Sequence, residues 1–61
     1  MSVYELNMIE DYTQYPSDDR WVNSVLYSTD EKAHVAGKKW LAEDYPAGVD
    51  REYIVVEKEV L

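Results

Sequence analysis

No cysteine appears in a chain of 61 residues, and those two facts together set the terms on which it can fold. A chain this short buries only about 60% of the surface it exposes when unfolded. Without disulfides, packing alone must offset the conformational entropy lost on folding. One domain over residues 1–61 is expected, because two do not fit. Hydrophobic residues make up 46% of the chain, too many for disorder. The aromatics are six Tyr and two Trp with no Phe, so each aromatic ring carries a polar group and suits an interface as well as a core.

Hydrophobic periodicity divides the chain into four elements. From Val3 to Ile9, the residues Tyr4, Leu6 and Met8 recur at period two, which predicts a strand. Asp11 to Arg20 breaks the pattern with Pro16, Ser17, Asp18 and Asp19, a polar loop that holds Tyr12 and Tyr15. Trp21 to Tyr27 is β-rich, and the short connection before it suits an antiparallel hairpin. Ser28-Thr29-Asp30-Glu31 matches a capping box with Ser28 as N-cap. Asp30 and Glu31 then stand at the positive end of the helix dipole, with Lys38 and Lys39 toward the negative end. Ala33, Ala36, Gly37, Trp40 and Leu41 form an apolar stripe anchored by Trp40. Pro46 and Gly48 stop the helix near Asp44, and a turn over Pro46 to Asp50 precedes a last strand over Glu52 to Leu61.

The order β-β-α-β, with the crossover rule for strand-helix-strand units, predicts an α+β fold. Its three-stranded antiparallel sheet has the order 2-1-3, with one helix packed on one face. That helix leaves the other face uncovered. If Tyr4, Leu6, Met8, Val22, Leu26, Ile54, Val56 and Val60 meet the helix, alternation turns Val3, Ile9, Trp21, Val25, Tyr27, Tyr53, Val55 and Leu61 outward. Such an apolar patch, with Glu5, Asn7, Asn23, Glu57 and Glu59 among it, has the composition of an interface. The alternative is the opposite register for the second strand, which would put Trp21, Val25 and Tyr27 inside, since a one-residue slip exchanges the faces.

Thirteen acidic against six basic side chains give a net charge of −7, which argues against attraction to nucleic acid or anionic lipid and toward a basic protein surface or plain solubility. No stretch has signal-peptide character or the roughly 20 apolar residues of a membrane span, so a cytoplasmic protein is expected. Catalysis lacks its parts: there is no Cys, and His34, the one histidine, falls off the apolar stripe and reads as a solvated helix residue. Carboxylates cluster at Glu10-Asp11, Asp18-Asp19, Glu43-Asp44 and Asp50-Glu52 without EF-hand spacing. With glycine only at Gly37 and Gly48 there is no phosphate loop, and neither a catalytic residue, a metal nor a cofactor is expected.

Val3-Tyr4-Glu5-Leu6, Val25 through Ala33 and Tyr53 through Leu61 resemble short uncharacterised ββαβ proteins of phages and bacteria. The shared layout is a strand, an S-T-x-E-K-A helix start and an acidic final strand. Tyr27 through Trp40 to Pro46-Ala47-Gly48 is also similar to a small phage inhibitor of bacterial RNA polymerase, with different loop lengths and with Glu57 and Glu59 where that inhibitor is basic. The resemblance implies the fold and no activity. A phage-encoded protein of this kind would work in the host cytoplasm.

The function expected is that of a small acidic protein-binding domain, an inhibitor or adaptor acting on a host protein with a basic or apolar surface. A nucleic-acid mimic competing for a basic groove and a structural homodimer are the alternatives. The candidate contact residues are Tyr12, Tyr15, Asp18 and Asp19 in the loop, where aromatics serve as recognition anchors. Trp21, Val25, Tyr27, Tyr53, Val55 and Glu57 are the candidates on the outward face.

Overall fold

A computed structural model of the chain describes residues 1–12 and 20–60. It is an α+β arrangement in the order β1 (Ser2–Tyr12), β2 (Arg20–Tyr27), α1 (Asp30–Leu41) and β3 (Val49–Glu59). The sheet is antiparallel in the order β2-β1-β3, with α1 packed against one face. The element order, the central first strand and the single covering helix all follow the sequence expectation.

Boundaries moved where local chemistry was misjudged. Thr29, with an extended backbone, is the N-cap of α1, and its hydroxyl accepts the Lys32 N–H at 3.2 Å. The Ser28 hydroxyl instead accepts from Lys32 Nζ at 3.3 Å, so the cap lies one residue beyond the expected Ser28. The helix ends at Leu41 rather than near Asp44. The turn before β3 closes through Val49 N–H to Pro46 C=O at 3.3 Å. Gly48 takes φ 88° within it, a conformation that favours glycine. β3 therefore begins at Val49, inside the segment expected to be turn.

The register corrects the assignment of faces. β1 turns Tyr4, Leu6 and Met8 toward the helix as expected. Its pairings set Leu6 opposite Val25 and Val55, Met8 opposite Asn23 and Tyr53, and Tyr4 opposite Tyr27 and Glu57. Directly opposed residues share a face. Trp21, Val25, Tyr27, Tyr53, Val55 and Glu57, expected outward, thus share the helix side, while Val22, Leu26, Ile54 and Val56, expected inward, lie on the open side. Both outer strands are one residue out of the expected parity.

Packing explains the choice on β3. A Cβ on Gly37 would lie 2.7 Å from the Tyr53 ring, so the bare backbone of Gly37 is the space that ring occupies. The same parity puts Arg51 opposite Glu10 on the helix side. The opposite one would have separated both pairs. The resulting layer is thin: the Cα trace measures 43 × 22 × 10 Å, and Leu6 is the one large side chain wholly removed from solvent among the described residues. Ile9, Ala33, Gly37 and Val49 are the other buried positions.

Candidate protein-binding surfaces

The uncovered sheet face is built from alternate residues of all three strands. Along its centre β1 supplies Glu5 and Asn7; β2 sets Val22 and Leu26 on one side, and β3 sets Ile54 and Val56 on the other. These four aliphatic side chains are 41% to 60% exposed, so two apolar rails flank a polar spine. The spine is fixed by Ser24 Oγ donating to Asn7 Oδ1 at 2.7 Å and by Lys58 Nζ against Glu5 Oε2 at 2.9 Å. Hydrogen bonds from Lys58 and then Asn7 hold the Glu5 carboxyl below its ordinary value, outweighing the opposing effect of desolvation. At one end Arg20 bridges Asp11 at 3.4 Å and Glu52 at 3.5 Å.

The helix side holds a second apolar surface, between α1 and β2. Lys32, Val35, Ala36 and Lys39 recur at i, i+3, i+4 and i+7, so they form one stripe along the flank of α1. With Tyr27 they line a groove of about 630 Å³. Val35 is exposed there, and Trp21, 42% exposed, stands farther along the same face of β2. Helical spacing carries this stripe as well, but the stripe expected over Ala33, Ala36, Gly37, Trp40 and Leu41 shares only Ala36 with it.

Of the candidate contact residues, Trp21 and Val25 remain accessible beside the helix, Tyr27 is half-buried at the groove, and Tyr53 and Val55 are half-buried on the helix side. Glu57 accepts a hydrogen bond from Ser2 Oγ at 2.8 Å. Tyr12 ends β1, and its hydroxyl donates to Glu10 Oε1 at 3.2 Å. Tyr15, Asp18 and Asp19 lie outside the described residues. The structure brings Trp21, Val25 and Tyr27 onto the same sheet face as Tyr53, Val55 and Glu57, with Tyr27 and Glu57 on either side of Tyr4.

Two polar arrangements escaped sequence reasoning. Arg51 Nε donates to Glu10 Oε2 at 2.8 Å; its Nη1 donates to the Trp40 carbonyl at 3.1 Å and Glu43 Oε1 at 3.2 Å. The guanidinium lies between the Trp40 ring at 4.6 Å and the Tyr45 ring at 4.7 Å. Desolvation opposes its charge, but the bonds to Glu10 and Glu43 prevail and raise its pKa. His34, expected to be solvated, is half-buried and held at both nitrogens: Nδ1 is 3.2 Å from the Tyr53 hydroxyl and Nε2 is 3.3 Å from Asp30 Oδ1. Neither ring lines the groove.

Of the carboxylate clusters, Asp18-Asp19 lies outside the described residues, and the fold shares out members of the others among basic partners. Glu10 and Asp11 point to opposite faces, Glu10 and Glu43 share Arg51, and Asp11 and Glu52 share Arg20. Among the described residues no group of three or more metal-ligating side chains converges, and no helix is long and apolar enough to cross a membrane. No known protein family, characterised protein or solved structure matches the chain.

Proposed function

We propose that the chain is a small acidic protein-binding domain, an inhibitor or adaptor that docks its open sheet face on a partner protein. The observation that carries this reading is the pair of aliphatic rails, Val22 with Leu26 and Ile54 with Val56, left accessible on a face that no helix covers. Isolated exposed aliphatics are ordinary on a surface; here four of them line up in two rows on one face, on either side of the Glu5 and Asn7 spine. Glu5, Asp11, Asp50 and Glu52 share that face with only Arg20 and Lys58, so the complementary partner surface is apolar at its centre and basic at its rim.

The test is affinity capture from cell lysate with the wild-type chain and an Ile54→Asp, Val56→Ser variant. The wild type should retain a defined protein that the variant loses, while circular dichroism and urea midpoint stay unchanged. Retention should weaken as salt is raised, because the rim contribution is screened. Identical capture by the two chains would refute the assignment of this face.

A further inference from the structure

The two outer strands treat their free edges differently. β3 carries Asp50, Arg51, Glu52, Glu57, Lys58 and Glu59, charges of the kind that discourage strand addition. β2 from Trp21 to Tyr27 carries no charge and no proline, and among the described residues no strand pairs with its outer side. All its residues are exposed except the half-buried Tyr27. A bare, uncharged, apolar edge is a template for another strand.

Its sequence is close to self-complementary. Reversed about Ser24, Trp21 meets Tyr27, Val22 meets Leu26 and Asn23 meets Val25. Each match joins residues of one face. The aromatic pairs fall on the helix side, the aliphatic pairs on the open side, and Ser24 meets its own copy on the axis. Such an isologous contact closes after two chains. The strand seam from Trp21 to Tyr27 contains no carboxylate, which limits the repulsion expected of two chains of charge −7, and the groove beside it sets Lys32 and Lys39 against the single carboxylate of Glu31.

From these placements we infer that β2 pairs antiparallel with β2 of a second copy, centred on Ser24, making one six-stranded sheet with each partner's Trp21 laid against the groove beside Tyr27 and Val35. The groove then has an occupant: a strand added outside β2 brings the partner's Trp21 next to Tyr27 on the groove side, within reach of Val35 and the two lysines. The open faces of the two copies become continuous. The pairing shares Val22 and Leu26 with the binding face proposed above but not Ile54 and Val56, which lie on the far strand.

Sedimentation at micromolar concentration should give twice the 7.2 kDa mass of one chain. Because the chain has no cysteine, an introduced thiol is the only one present. Ser24→Cys should cross-link readily under mild oxidation, since opposed Cα atoms lie about 4.5 to 5.5 Å apart, within disulfide range. Leu26→Cys should not, as its copies would be about 13 Å apart. Ser24→Lys and Ser24→Glu should each weaken association about tenfold or more by placing like charges on the axis, and an equimolar mixture of the two should restore it. A monomer at every concentration overturns the inference. So does a dimer in which Leu26→Cys cross-links and Ser24→Cys does not, or one indifferent to both Ser24 charges. Ile54→Asp should leave the dimer intact, so loss of partner capture and loss of pairing are read separately.

Discussion

The two edges of this sheet flank the same central strand yet are finished differently. β3 is tied to the helix at two points, Tyr53 beneath Gly37 and Arg51 beneath the helix C-terminus, where it shares the Trp40 carbonyl with the Glu43 N–H. β2 has no comparable tie, and its apolar side chains stay accessible on both faces. In so small a domain, one helix has enough surface to complete one flank; the stabilising interactions collect there, and the apolar side chains of the other stay accessible. Substitutions on the helix side of β3, at Tyr53 and Arg51, should therefore change folding, and those at the accessible positions of β2 should change association.

Arg51→Ala is the severest way to break that contrast. Arg51 and Glu10 are only 14% and 12% exposed, and removal of one partner strands the other charge. A loss of about 3 kcal/mol is expected in urea denaturation, enough to unfold much of a domain this size. Gly37→Ala comes next. Alanine gains about 1 kcal/mol of helix propensity over glycine, but the new Cβ meets the Tyr53 ring at 2.7 Å, and overpacking costs about 1 to 3 kcal/mol. A net loss of about 1 kcal/mol is expected, with Tyr53→Leu in the same chain recovering part of it; a stabilised Gly37→Ala protein would mean that the contact is loose.

On the β2 flank, Val22→Thr and Leu26→Thr should each move stability by less than about 0.5 kcal/mol in the same titration. The smallest effect is one of pH on the central spine. Glu5 is held below its ordinary value of 4.5, so the folded state binds fewer protons than the unfolded one. Its contribution is complete above that value and fades as pH falls through the lower folded value. Glu5→Gln should flatten the acid limb of a stability profile over that window.

Much of the architecture was legible because it depends on neighbours in sequence. Tyr4, Leu6 and Met8 alternate, Asp30 and Glu31 open the helix, and Pro46 with Gly48 turns the chain into β3; together they dictate the order of elements and the sheet topology. The faces of β2 and β3 were not legible, since period-two alternation is equally clean in either parity and apolar residues occupy both. What selects the parity is long-range: Tyr53 against Gly37, and Arg51 against Glu10. That an apolar patch would face outward was accordingly legible, and which residues form it was not. A patch of branched side chains does face outward, but it consists of Val22, Leu26, Ile54 and Val56. The groove beside Tyr27 needed Val35 to be recognised as part of a second helical stripe, and its large exposure is invisible without coordinates.

A layer only one side chain deep also shapes how the molecule melts. Unfolding so little interior absorbs an enthalpy of only about 40 kcal/mol by the usual per-residue scaling, and the heat-capacity step is correspondingly small. The thermal transition should be spread over tens of degrees, with gently sloping shoulders and a stability curve that is low but nearly level across ordinary temperatures. For this protein the breadth of the melt, more than its midpoint, will register whether a second chain has joined the sheet.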